Sequence, residues 1–276
     1  MMILEARTAL TAFAVALGWN IVLWATVWQN VFTIIGTTAF VLFATLLLYI
    51  NSTKTLFQII WRSYVLGLVL TIGINTVLLA PELFFSTGLY LCVISFFHMS
   101  EYIATAFYNP SSLTLDSFII NHSREFNAAL LLSFVEHLIL MYFIPGMKMP
   151  SVLTYLGLML CSWGEIFRKL AMFTAGKSFN HVVQFYKHKD HILVTSGVYA
   201  IVRHPSYTGW FCWSIGTQIL LCNPICLIGY TCASWKFFHD RIIYEEMTLL
   251  NFFGRDYLNY KKKVPSGIPF VKGYVL

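Results

Sequence analysis

The sequence predicts an all-α polytopic membrane protein of about eight spanning helices, and three observations carry that prediction. Of 276 residues, 58% are hydrophobic and only 11% charged, against roughly 25% charged in an ordinary soluble domain. So few charges cannot cover the surface of a soluble globule of this size. Mean hydropathy is +0.70, and the apolar residues fall in runs close to the ~20 residues that cross a hydrocarbon core. Disorder, collagen, coiled coil and a small disulfide scaffold are excluded by the same composition.

The runs follow in order. Met1 to Arg7 carries Glu5 beside Arg7, and the apolar stretch after it is too long for a signal peptide, so it opens the first span, Ala9–Gln29. Asn30 turns the chain into Val31–Ile50. Tyr64–Ala80 ends at Pro81, and Leu83–Ala106 follows. Ala128–Phe143 and Ser151–Phe167 flank the turn Pro145-Gly146. Gly209–Cys222 and Pro224–Phe238 are short and separated by Asn223 alone, a helical hairpin relying on polar extensions outside the bilayer.

Eight spans place nearly all 18 basic residues on one side, with only Lys148 opposite. The positive-inside rule makes that side cytosolic, with both termini there. The sequons Asn51-Ser-Thr and Asn121-His-Ser then face the cytosol and stay unused. Six cysteines sit in apolar stretches without a C-x-x-C pair and read as small buried hydrophobes. Polarity divides the chain. Residues 1–150 form an N-terminal unit of about five spans, and residues 151–276 a catalytic unit of about three spans with a polar loop, 168–208, and a polar tail, 239–276. Loop and tail share the cytosolic face, where chemistry on polar substrates belongs.

Three groups of residues there could bind a ligand. Gln184 and the stretch His191-Ile-Leu-Val-Thr-Ser-Gly-Val-Tyr199 form a short hairpin or an extended loop, with Thr195-Ser-Gly197 as the turn. In Arg203-His-Pro-Ser-Tyr-Thr-Gly209, Pro205 starts a helix and leaves His204 at the mouth of the seventh span. Free N–H groups at such a start favour anions. Arg241 and Glu245 are four apart on one helix face; in isolation they form a surface pair beside a solvated Glu246. An arginine fork suits a carboxylate, and a glutamate suits an ammonium or hydroxyl group. Within the spans, Glu136-His137 and His98 with Glu101 read as interhelical polar contacts. The sequence has no G-x-G-x-x-G, Walker A, H-E-x-x-H or G-x-S-x-G motif.

The ordered series Arg168-Lys-Leu-Ala-Met-Phe-Thr-Ala-Gly176, Phe179-Asn-His-Val-Val-Gln184, Leu193-Val-Thr-Ser-Gly-Val-Tyr-Ala200, Arg203-His-Pro-Ser-Tyr-Thr-Gly-Trp210, Gln218, Asn223-Pro-Ile-Cys226, Asp240-Arg241, Glu245-Glu246, Phe253-Gly254 and Tyr257-Leu-Asn-Tyr-Lys-Lys-Lys-Val-Pro265 resembles the isoprenylcysteine carboxyl methyltransferases. The likeness is close over residues 150–276 and weaker before them. It implies an eight-span enzyme of the endoplasmic reticulum membrane, its active site facing the cytosol. The implied reaction methylates the C-terminal carboxylate of prenylated proteins, farnesyl or geranylgeranyl, with S-adenosylmethionine as donor. By the matching motifs, Gln184, His191, Ile192, Leu193, Val194, Tyr199, His204, Pro205, Ser206, Tyr207 and Glu245 would bind the cofactor and Arg241 the substrate carboxylate, with no metal. The expected partners are prenylated protein C-termini and the lipid bilayer, without nucleic acid. Two alternatives stand beside this reading: an NADPH-dependent membrane sterol reductase, and, from another class, a small-molecule transporter.

Overall fold

A computed structural model describes residues 3–27, 53–120, 123–187 and 192–275. The expected second span, Val31–Ile50, lies outside the described residues, as does His191. The α-helices are α1 (Leu4–Val27), α2 (Lys54–Leu79), α3 (Phe85–Tyr108), α4 (Arg124–Phe143), α5 (Val152–Ala175), α6 (Pro205–Leu220), α7 (Pro224–Phe253) and α8 (Arg255–Lys263). Among the described residues there is no strand. The turn at Thr195-Ser-Gly197 therefore belongs to an extended loop entering a 3-10 turn, Gly197–Ala200, and not to a hairpin.

Local chemistry sets the helix starts. Thr53 caps α2 by accepting from the Leu56 amide, and Ser123 caps α4 by accepting from that of Phe126. Proline opens both α6 and α7, where its missing N–H costs nothing. Glu136 of α4 adds a carboxylate at the start of α7, accepting from the Ile225 and Cys226 amides at 2.8 and 2.7 Å. An anion there is favoured by the helix dipole.

Three described segments are long and apolar enough to cross a membrane: Lys54–Leu79, Glu82–Tyr108 and Arg124–Phe143. α4 leaves Leu131, Leu132, Leu138, Ile139 and Phe143 exposed, as a lipid-facing surface would. α7 has 30 residues, about 45 Å at ~1.5 Å per residue, against a hydrocarbon core of ~30 Å. Its C-terminal end must leave any bilayer its first half crosses, carrying Arg241, Glu245 and Glu246 with it.

Glycines bring α5 and α6 into close contact. A Cβ on Gly157 would lie 2.2 Å from the Leu220 nitrogen, one on Gly164 2.5 Å from the Gly209 carbonyl, and one on Gly216 2.8 Å from the Cys161 nitrogen. Small residues let helix backbones approach where lipid gives no hydrophobic drive. Phe97 of α3 stacks on Trp213 of α6 with centroids 4.1 Å apart, closing the layer of α3, α5 and α6.

Several polar groups inside this bundle are paired, while Ser63 Oγ, His137 Nδ1, Glu165 Oε2 and Tyr230 OH have no hydrogen-bond partner among the described residues. Glu101 receives a two-pronged contact from Arg168, at 2.7 and 2.8 Å, and is also bound by Lys169 and by His181. His98 bonds the Phe118 carbonyl and His137 the Thr87 hydroxyl. The Glu101, Glu136 and His137 contacts are interhelical as expected, whereas His98 reaches the 3-10 turn Leu115–Phe118. Lys148, expected on the side opposite the other basic residues, is buried and donates to the Leu221 and Cys222 carbonyls and to Asn223 Oδ1, closing the C-terminal end of α6. Of the cysteines only Cys161 and Cys222 are buried, and Cys232 is exposed, so the expectation of six buried thiols holds for two.

Candidate active site

The polar ends of α5, α6 and α7 meet the C-terminal tail and enclose a cleft of about 680 Å³ counted to its open mouth. The tail is tied down first. Arg203 and His204 donate their amides to the Pro265 and Ser266 carbonyls. The Arg203 side chain bonds the Lys261, Val264 and Lys272 carbonyls as well as Glu246. Glu246 is fully buried and accepts from Arg203, His204, Lys261 and the Tyr274 amide. It is the anchor of the tail, not the solvated residue expected from its neighbours in sequence. Burial opposes its charge, but His204, Lys261 and Arg203 outweigh that and bring its carboxyl down to about 2. Gly273, at φ 79°, passes so close that a Cβ would lie 2.0 Å from Glu246 Oε2.

Nine of the eleven cofactor candidates line this cleft: Ile192, Leu193, Val194, Tyr199, His204, Pro205, Ser206, Tyr207 and Glu245. Gln184 does not; its amide turns back to the Val182 carbonyl. The sequence reading missed Phe179, Arg203, Leu249, Tyr257 and Tyr260, which also line it. For Tyr257 and Tyr260 the signal was present in the aromatic spacing of α8, but only the fold of the tail places them here. Ser206 is fixed from below, because Arg168 donates to its hydroxyl and its carbonyl.

Two buried oxygens on the cleft wall have no partner in the protein, Glu245 Oε2 and Tyr257 OH. The nearest base to the former is His204 Nδ1 at 3.6 Å, beyond hydrogen-bonding distance. Burial works against the Glu245 charge, yet His204, Tyr207 and Arg241 hold its carboxyl below the usual value. Burial likewise disfavours a charged His204, but Glu245 and Glu246 raise its pKa overall. Burial pushes the phenols of Tyr199, Tyr207, Tyr257 and Tyr260 up, so they remain neutral. The cleft thus offers a carboxylate to a donor and several ring faces to a cation.

Arg241 is not paired with Glu245. Its Nε donates to Tyr207 OH at 2.9 Å and its Nη2 to the His181 carbonyl. Its guanidinium lies over the rings of Tyr207 and Phe237, 5.4 and 5.8 Å from their centroids. Tyr207 belongs to the polar cleft, whereas Phe237 belongs to a second and larger cavity of about 1970 Å³, also counted to its mouth. That cavity is an apolar groove walled by α4, α6 and α7, with Leu132, Ile139, Trp213 and Ala233 among its lining. The Arg241 guanidinium therefore contacts one lining residue of each cavity.

A helical membrane enzyme with a polar ligand cleft at its helix ends and an apolar groove between its helices is the class this arrangement defines. A family model described as the Isoprenylcysteine carboxyl methyltransferase (ICMT) family matches residues 156–251. The chain is 58% identical over 186 residues to a protein-S-isoprenylcysteine O-methyltransferase of Xenopus laevis, covering 67% of this chain and 65% of that one. It is 50% identical over 218 residues to the Tribolium castaneum protein of the same name, covering 79% and 78%. A solved structure of a eukaryotic intramembrane Ras methyltransferase, isoprenylcysteine carboxyl methyltransferase, superposes with a TM-score of 0.90 at 41% identity over the whole of both chains. The chain belongs to the isoprenylcysteine carboxyl methyltransferase family. Neither the sterol reductase nor the transporter finds support in these likenesses.

Proposed function

We propose that this protein transfers a methyl group from S-adenosylmethionine to the C-terminal carboxylate of prenylated cysteine in proteins, at the cytosolic face of the endoplasmic reticulum membrane. The observation that carries the reading is that the Arg241 guanidinium contacts both Tyr207 of the polar, aromatic cleft and Phe237 of the apolar groove. One substrate of this reaction is water-soluble and the other is a lipid, and the two cavities divide along that line. In this reading the chain has about eight spans with both termini cytosolic, and residues 151–276 form the catalytic unit.

The residues of the polar cleft fit the cofactor. Ile192, Leu193, Val194, Tyr199, His204, Pro205, Ser206, Tyr207 and Glu245 would hold it, and Glu245 Oε2 and Tyr257 OH, which the protein leaves unmet, would answer its polar groups. Gln184 and His191 are added on the resemblance. When bound, S-adenosylmethionine supplies an electrophilic methyl on a cationic sulfonium. Arg241 directs the substrate carboxylate toward the cleft, and the hydroxyl and ring of Tyr207 fix the guanidinium. A free α-carboxylate has a pKa near ~3.5 and is already ionised at neutral pH, so no general base is required. Catalysis is then positioning. Opposite charges vanish as the methyl moves, so a dry site does not oppose the transition state.

The groove between α4, α6 and α7 would take the prenyl chain. Burying such a chain is worth up to ~0.8 kcal/mol per CH2, of order 10 kcal/mol in all, and extraction into water would forfeit it. A sideways opening to the bilayer avoids that loss. The purified chain in detergent should transfer labelled methyl from S-adenosylmethionine to N-acetyl-S-farnesylcysteine and leave N-acetylcysteine unmodified. Equal labelling of both, or of neither, contradicts the proposal.

A further inference from the structure

Gly229 lies in the interior of α7, where glycine is the poorest helix former after proline. At Gly157, Gly164 and Gly216 a neighbouring helix fills the place of a side chain. At Gly229 a Cβ would meet no protein atom within 4 Å, and the residue lies on the wall of the apolar groove. It shares a helix face, at i, i+4 spacing, with Ile225, Ala233 and Phe237, all of which line the same groove. The space above Gly229 is therefore groove space.

Distance along α7 gives that space a meaning. From Arg241, Gly229 is twelve residues away, about 18 Å, and Ile225 is sixteen, about 24 Å, at ~1.5 Å per residue. At that end the lining includes Ile225, itself largely exposed, and Glu136, whose carboxylate is held by the Ile225 and Cys226 amides. An extended chain advances about 3.8 Å for every three bonds. From the carboxyl carbon of a prenylcysteine the far end of a farnesyl chain is fifteen bonds away, about 19 Å, and that of a geranylgeranyl chain nineteen, about 24 Å. With its carboxylate level with Arg241 and its chain extended along α7, a farnesyl group would end at the level of Gly229, and the fourth isoprene unit of geranylgeranyl would lie between Gly229 and Ile225.

We propose that Gly229 is a specificity-determining residue for prenyl length: its missing side chain keeps the end of the groove far from Arg241 open to the longer chain. This rests on the carboxyl methyltransferase reading and on the groove as the prenyl site. The test compares kcat/KM for N-acetyl-S-farnesylcysteine and N-acetyl-S-geranylgeranylcysteine in the full chain, in Gly229→Ala and in Gly229→Leu. The ratio of the two substrates is the readout, because the folded fraction cancels from it. Gly229→Leu should lower the geranylgeranyl-to-farnesyl ratio by about tenfold or more, the usual discrimination for misfit in an apolar pocket, and Gly229→Ala should lower it less. An unchanged ratio in Gly229→Leu overturns the proposal; if that variant does not fold, an unchanged ratio in Gly229→Ala does so. Methylation of neither analogue by the unaltered chain overturns the underlying reading instead, so the two failures are told apart.

Discussion

At the scale of single residues, Arg241 and Glu245 were legible in the sequence as chemistry, but their partners were not. The i, i+4 spacing pairs them on paper; the structure separates them. Arg241 turns to Tyr207 and the His181 carbonyl, and Glu245 keeps one buried oxygen for the cleft. That oxygen makes a definite expectation. Glu245→Gln should weaken S-adenosylmethionine binding by ~1.5–3 kcal/mol, the worth of a hydrogen bond to a charged group, with the fold intact. Calorimetric titration of the purified variant measures this, and unchanged affinity would remove Glu245 from the site. Glu246 was misread for a physical reason. Its partners Arg203, Lys261 and the Tyr274 amide are 43, 15 and 28 residues away, and no local spacing discloses such contacts.

At the scale of elements, the helices were written in apolar runs and punctuation. Pro205 and Pro224 start α6 and α7 where expected, and the polar extension foreseen for the last hairpin is the continuous second half of α7. The tail was not legible beyond its polarity, because Arg203, His204 and Glu246 organise it through contacts across the fold. This clamp should respond to pH at both ends. The Glu246 carboxyl falls from 4.5 to about 2 on folding, so its contribution is present above pH 4.5 and is lost as pH falls toward 2. His204 is raised above 6.5, so its contribution is full below that value and fades as pH rises through the raised one. Hydrogen exchange of the 265–275 amides, corrected for intrinsic rates, should therefore show protection that weakens on acidification below pH 4.5. Constant protection from pH 5 to 2.5 would show that Glu246 does not hold the tail.

At the scale of the whole molecule, composition was enough for a helical membrane protein, and the ordered motifs of residues 150–276 for the family. What the sequence left open was the relation between the cavities, since the groove draws on α4 and the cleft on the tail, far apart in the chain. The proposed orientation has its own check: cysteines placed at Lys177 and Lys261 should react with an impermeant maleimide from the cytosolic side of microsomes only. Luminal labelling at 177 would put the cleft in the wrong compartment. The central claim, that Arg241 joins a soluble methyl donor to a lipid-borne carboxylate, is tested most directly by measuring methyl transfer and S-adenosylmethionine affinity on the same preparation of Arg241→Ala. The expected result is transfer lowered by one to several powers of ten, from losing about 2–5 kcal/mol of contact to a partly buried carboxylate, with cofactor affinity largely kept. Arg241→Lys should restore little, because an ammonium lacks the two-pronged fork. Near-normal turnover by a folded Arg241→Ala would contradict the account.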